Sequence, residues 1–208
     1  MSNSLKKAVK NLGIPYLYHF TRFENLDSIL KHGLIGRQKL EERGIDHSVN
    51  DSLRLDGELS AICCSIGHPN YKMFYPLRLG NPDVDWIVLA LKKSVIWNKT
   101  CAFCSTNAAS GTVTSISIED RIGFTPFVSL FNELENIPSR SELKLDKYCP
   151  TDPQAEVLVL EDIEPKFIVG GMTANGKLAE ELRAKYPKFI FKYVRQAFGP
   201  RTDYEHWK

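Results

Sequence analysis

Long apolar runs are missing from this chain. No stretch reaches the ~20 consecutive apolar residues that a membrane-spanning helix needs. The opening Met1-Ser2-Asn3-Ser4-Leu5-Lys6-Lys7 also lacks the apolar segment of a secretory signal, so the expectation is a cytoplasmic protein with no membrane partner. An excess of one charge is missing too. The 27 Lys and Arg against 25 Asp and Glu leave a net charge of +2. That gives little global pull toward a polyanion, so any nucleic-acid contact must be a local patch. Cysteines number five. Cys63 and Cys64 lie in an apolar run and read as small buried residues. Cys101-Ala102-Phe103-Cys104 has redox or zinc spacing, yet there is no second Cys-x-x-Cys and no His-x-x-x-His. A zinc site needs about four ligands, so no metal is expected. Repeats and low-complexity tracts are absent, as is a glycine-rich strand-turn-helix fingerprint, which argues against a dinucleotide-binding parallel sheet.

What is present is an ordinary globular composition, 43% hydrophobic and 25% charged. A chain of 208 residues can bury a real core, and one domain over 1–208 is expected. Strands are expected at 15–20, 60–66, 85–91, 100–104, 155–160, 166–171 and 188–195. A helix is expected over 22–32, opened by a Thr21/Glu24 capping box and stopped at Gly33. Further helices should start at Pro69, span Phe124 to Leu134, and run from Thr173 to Tyr186. Residues 36–58, 105–117 and 135–153 read as long loops, the first with room for a short helix. Strands mixed irregularly with short helices indicate the α+β class.

Three polar features stand out. Gln154-Ala155-Glu156 runs into Val157-Leu158-Val159-Leu160. Strand alternation puts Ala155, Val157 and Val159 on one face and Glu156, Leu158 and Leu160 on the other. A carboxylate there must be paired or sit at an opening; the bland reading is a solvated strand end. His19 interrupts an apolar strand, with Thr21 two residues on; taken singly, a satisfied core histidine and a helix cap are the ordinary readings. Arg54 lies in the first long loop, where a solvated arginine is ordinary.

Taken together, these features resemble the ADP-ribosyltransferase outline: His-x-Thr on a first strand, a loop arginine, and Gln-x-Glu on a late strand. More narrowly the chain resembles the DarT family of DNA ADP-ribosyltransferase toxins. The resemblance is carried by Tyr18-His19-Phe20-Thr21 with Glu24-Asn25-Leu26 and His32-Gly33-Leu34, by Pro69-Asn70-Tyr71-Lys72-Met73-Phe74-Tyr75, by Phe103 to Ala108, and by Gln154 to Val159. It spans roughly 16–195. Arg54 is matched in a stretch that departs from the family pattern.

The resemblance implies an ADP-ribosyltransferase-like fold with central mixed or antiparallel sheets, short flanking helices and long functional loops. It implies NAD⁺ as substrate, single-stranded DNA as acceptor, and a cognate antitoxin that removes the mark. His19, Thr21 and Asn25 would hold NAD⁺, Arg54 would hold NAD⁺ and the acceptor, and Met73 would line the nicotinamide pocket. For Met73 and Tyr71, core packing is an equal reading. The chemistry fits. The ribosyl transition state is electron-poor, and a carboxylate stabilises it. Glu156 can also take a proton from the incoming base. A guanidinium holds a diphosphate through bidentate bonds. Loop 135–153 contains Arg140, Lys144, Lys147 and Tyr148 ahead of Gln154, a mixture suited to single-stranded nucleic acid. It also holds Glu142 and Asp146, so a plain solvated loop fits as well. Transfer to protein or RNA, NAD⁺ hydrolysis, and a non-catalytic binding module remain alternatives at this stage. The modified base, thymine or guanine, is also open.

Overall fold

The apolar runs become strands of one sheet, and the punctuated segments between them become short helices. The computed structural model describes residues 2–45, 47–48 and 57–207; Arg54 lies outside the described residues. In chain order the elements are α1 (Ser2–Asn11), β1 (Tyr16–Arg22), α2 (Leu26–His32), α3 (Arg37–Glu42), β2 (Ile62–Ile66), α4 (Tyr71–Leu79), β3 (Trp86–Lys92) and α5 (Val95–Asn98). There follow β4 (Cys101–Cys104), α6 (Gly111–Thr114), α7 (Phe124–Ser129), β5 (Glu156–Val159), β6 (Ile168–Thr173), α8 (Gly176–Lys185) and β7 (Ile190–Tyr193).

The seven strands lie in the order β4-β5-β2-β1-β3-β6-β7. Neighbours are antiparallel except β6 and β7, which run parallel and are connected through α8. Both faces are covered, which is why β3 and β5 read as unbroken apolar runs. The main core lies on one face, where Leu17, Cys64, Leu89, Val157 and Val159 meet α1, α2, α7 and α8. The other face carries two smaller clusters. One joins Ala102, Cys104, Ala108, Val113 and Leu158; the other joins Phe74, Trp86, Val88 and Phe198. Alternation puts Glu156 on this second face beside Leu158, as the sequence indicated.

The sheet has a fork. β1 pairs with β3 along its whole length, but with β2 only at Leu17↔Ile66 and Tyr18↔Ser65. Past Tyr18, β1 stays with β3 and parts from β2. His19 bridges the opening, its Nδ1 2.8 Å from the Cys63 carbonyl oxygen.

Three helix starts or ends differ from expectation, each because tertiary pairing wins. The Thr21/Glu24 capping box does not form: β1 continues to Arg22, pairs with Trp86, and Thr21 is buried in the strand. The helix at Phe124 ends at Ser129 because Thr151 takes the next carbonyls, its N–H donating to Leu130 (2.9 Å) and its hydroxyl to Asn132 (2.7 Å). The last helix starts at Gly176, since Thr173 pairs with Tyr193 and Asn175 supplies the cap, accepting from the Leu178 N–H at 3.2 Å. α1, α5 and α6 were not foreseen; α1 buries Leu5 and Val9 one turn apart.

Candidate active site

β5 delivers Glu156 to the second face of the sheet, 5% exposed. Its Oε2 accepts a hydrogen bond from the Ala108 backbone N–H at 2.8 Å, and Asn70 Nδ2 lies 3.5 Å from Oε1. A buried carboxylate needs such donors. Asn70 is fully buried and holds three elements at once. It caps α4 by accepting from the Met73 N–H (3.2 Å), its own N–H donates to the Ser65 hydroxyl of β2 (3.1 Å), and its amide reaches Glu156. Sequence reasoning assigned that helix start to Pro69. An Asn ahead of a helical run is a standard N-cap signal, and it would have found this residue.

Across the fork β1 delivers His19 and Thr21. Asn25 Nδ2 donates to the Thr21 hydroxyl (3.1 Å) and to the Ser48 carbonyl (2.9 Å), while Asn25 Oδ1 accepts from the Ser48 N–H (2.8 Å). Asn25 therefore fixes the segment at 47–48 against the strand. One cavity gathers His19, Thr21, Asn25, Met73 and Glu156, so the fold brings together five of the residues singled out in the sequence. Residues from both sheet faces line it, Tyr18 and Phe20 besides His19 and Thr21, because it passes through the fork. Arg37, which was not foreseen, lines it as well; its Nε donates to Glu41 at 2.9 Å. Gly33 closes one side at φ +89°, and a Cβ there would meet the Ile163 carbonyl oxygen at 2.3 Å.

The loop ahead of Glu156 is held from within and from behind. Arg140 donates to the Thr151 hydroxyl (2.8 Å) and the Asp146 carbonyl (3.2 Å), and its guanidinium lies 5.7 Å from the centre of the Phe131 ring. Its charge is turned into the loop. Lys144 and Lys147 are exposed. Tyr148 is half-buried, and its bond to Asp146 pushes the phenol up to about 12. Gly67 (φ +76°) lets this loop approach the end of β2, since a Cβ there would meet Cys149 Sγ at 2.9 Å. Gln154 is half-buried beside the loop's Asp152, which accepts from its N–H at 2.7 Å. From behind, buried Arg201 forms a two-bond ion pair with Asp203 (both 2.6 Å) and donates to the carbonyls of Pro150 and Thr151 (both 2.7 Å). Trp207 Nε1 adds a bond to Asp203 at 2.7 Å. Burial alone pushes Asp203 up, but Arg201 and Trp207 outweigh it and hold the carboxyl below its ordinary 3.8.

Among the described residues, no cluster of three or more His, Cys, Asp or Glu is placed to hold a metal, and no helix is long and apolar enough to cross a membrane.

No curated protein matches the chain. The structure is similar to Thermosipho africanus DarTG in complex with ADP-ribose, with a TM-score of 0.62 and 18% identity, over 88% of this chain and 50% of that one. The chain therefore spans about half the length of that protein. It is also similar to Thermus sp. 2.9 DarT in complex with NAD⁺ (TM-score 0.52, 12% identity, 88% and 96% of the two chains). The same Thermus protein in complex with ADP-ribosylated ssDNA gives a TM-score of 0.50 at 14% identity, over 88% and 95%. These likenesses establish the fold. A family model described as "ssDNA thymidine ADP-ribosyltransferase, DarT" matches residues 18–201, and the chain belongs to that family.

Proposed function

We propose that this chain transfers ADP-ribose from NAD⁺ to a thymine base of single-stranded DNA, with Glu156 as the catalytic carboxylate. The observation that carries the reading is the placement of Glu156: buried, fixed by the Ala108 N–H, and lining the same cavity as His19, Thr21 and Asn25. In the reaction the bond between the nicotinamide nitrogen and ribose C1′ breaks, and the pyridinium leaves neutral. A base nitrogen bonds to C1′, and its proton passes to Glu156. The carboxylate also stabilises the positive charge that develops on the ribose. The base nitrogen is taken as that of thymine rather than guanine because the family description names thymidine. His19, Thr21 and Asn25 hold the nicotinamide end, Met73 lines the ring pocket, and Arg54 with Arg37 serves the diphosphate. The chain acts as one domain in the cytoplasm, opposed by an antitoxin that removes the ADP-ribose. Incubation with NAD⁺ and short oligonucleotides, followed by mass spectrometry, tests this. The expected result is one ADP-ribose mass on thymine-containing strands and none on strands without thymine.

His19→Ala is expected to weaken NAD⁺ binding and leave base preference unchanged. Titration calorimetry beside a melting curve checks it. A lower melting point with unchanged NAD⁺ affinity would make His19 a packing residue only.

On the acceptor side, Lys144 and Lys147 follow the phosphates while Tyr148 and Gln154 meet the bases; Arg140 supports them from inside the loop. Neutralising both lysines should weaken oligonucleotide binding and lower the salt slope by about 0.7 for each phosphate that is no longer paired with a lysine. Tyr148→Ala should cost about 1–3 kcal/mol of DNA binding if the ring stacks a base. An unchanged salt slope in the double lysine variant moves the DNA to another face.

A further inference from the structure

Arg121 is 6% exposed and has poor partners. Its Nη1 lies 3.5 Å from Cys104 Sγ and its Nε 3.4 Å from the Ser117 carbonyl. Among the described residues no carboxylate stands within ion-pair distance. Its neighbours Glu119 and Asp120 are exposed, and Asp120 accepts from the Ser117 hydroxyl. A buried guanidinium so weakly satisfied is costly. Its surroundings supply a reason. Cys104 is directly opposite Glu156 in the β4–β5 pair, and directly opposed side chains share a face at about 5 Å. Arg121 therefore stands behind the carboxylate, one thiol away. Ala102, Cys104, Ala108 and Leu158 form a buried apolar cluster on this face, and charges within such surroundings interact through a medium of low polarity.

We infer that Arg121 is a positioning residue for the transfer reaction: its fixed positive charge keeps the buried Glu156 ionised, ready to stabilise the ribosyl cation and take the base proton. The inference rests on Glu156 being the catalytic carboxylate. Among the described residues, the other titratable groups around Glu156 include the thiols of Cys104, Cys63 and Cys64, with Tyr18 and His19 lining the cavity from β1 and Arg37 and His47 lining it from the α3 side. The Cys64 thiol is pushed up by burial first, then by Cys101 and Glu156, and stays neutral.

The test compares rate–pH profiles of oligonucleotide modification for the wild type, Arg121→Gln and Arg121→Lys. The acid limb of Arg121→Gln should move up by about one pH unit, and Arg121→Lys should keep the wild-type limb. A merely structural role lowers the rate by one factor at every pH and leaves the limb in place, which overturns the inference. Melting curves of Arg121→Gln, Glu156→Gln and the double variant add a second measure. If the charges are coupled, Arg121→Gln destabilises less once residue 156 is neutral. Should Arg121→Gln not fold alone, the double variant is expected to recover, and its failure to recover refutes the coupling. Full transfer by Glu156→Gln would instead remove the proposed catalytic role, and the cycle would still report the charge coupling by itself.

Discussion

Glu156→Gln is expected to abolish transfer while the protein still folds, its melting point lowered only by the lost coupling to Arg121. A single electrostatic contributor at a reacting centre is worth about 10²–10³ in rate. In the proposed mechanism Glu156 carries two duties, charge stabilisation and proton acceptance, so the loss should exceed that range. The substitution keeps the shape. A glutamine carbonyl can still accept the Ala108 N–H, which separates chemistry from folding. The measurement is single-turnover modification of a thymine-containing oligonucleotide, with a melting curve on the same sample. Near wild-type turnover would sink the catalytic assignment.

The second large effect is on stability. Arg201→Ala leaves the Asp203 carboxylate buried beside the carbonyls of Pro150 and Thr151, which lose their donor. Removing one partner of a buried ion pair costs about 3–5 kcal/mol. At about 2–4 °C per kcal/mol for a chain of this size, the melting point should fall by roughly 6–20 °C. Replacing both partners with leucines should cost less, because no charge is stranded. The pH dependence has a definite sign. Asp203 is held below its ordinary value in the folded state, so the unfolded chain binds more protons in the acid range. The pair's contribution is complete above the ordinary carboxylate value and is lost as pH falls through the lowered folded one. Melting the wild type and Arg201→Ala across the acid range checks this: the gap between them should narrow as pH drops. A constant gap would mean that the ion pair contributes through packing alone.

All seven strands were legible in the sequence, with ends displaced by a residue or a few, because each is an apolar run bounded by turn residues. Glu156 was legible for the same reason: alternation fixes its face. Thr21 was misread because a capping box and a strand end share their residues, and only the pairing of Arg22 with Trp86 decides between them. Phe124 to Leu134 has a helical period throughout, and nothing local reveals that Thr151 claims the carbonyls of Leu130 and Asn132. Arg140 was singled out for its charge, yet its direction depends on Thr151 and Phe131. Arg121 carried no signal. An arginine beside Glu119 and Asp120 looks solvated, and its burial is a property of the β4–β5 pair.

The place of β5 in the sheet sets when this molecule can first act. β5 lies between β4 and β2, although both precede it in the chain by more than fifty residues. Until it arrives, those two strands have no partner on the side it fills, and the site has no carboxylate. Chains emerge from the ribosome at about 5–20 residues per second and fold from the N-terminal end. The wall bearing His19 can therefore form early, while the acid and the closure of the sheet arrive together and late. Arg201, which fastens the loop before β5, follows later still. A nascent chain that has not yet delivered β5 and Arg201 is thus expected to remain inert toward DNA, and the cell meets this chemistry only once those residues have emerged.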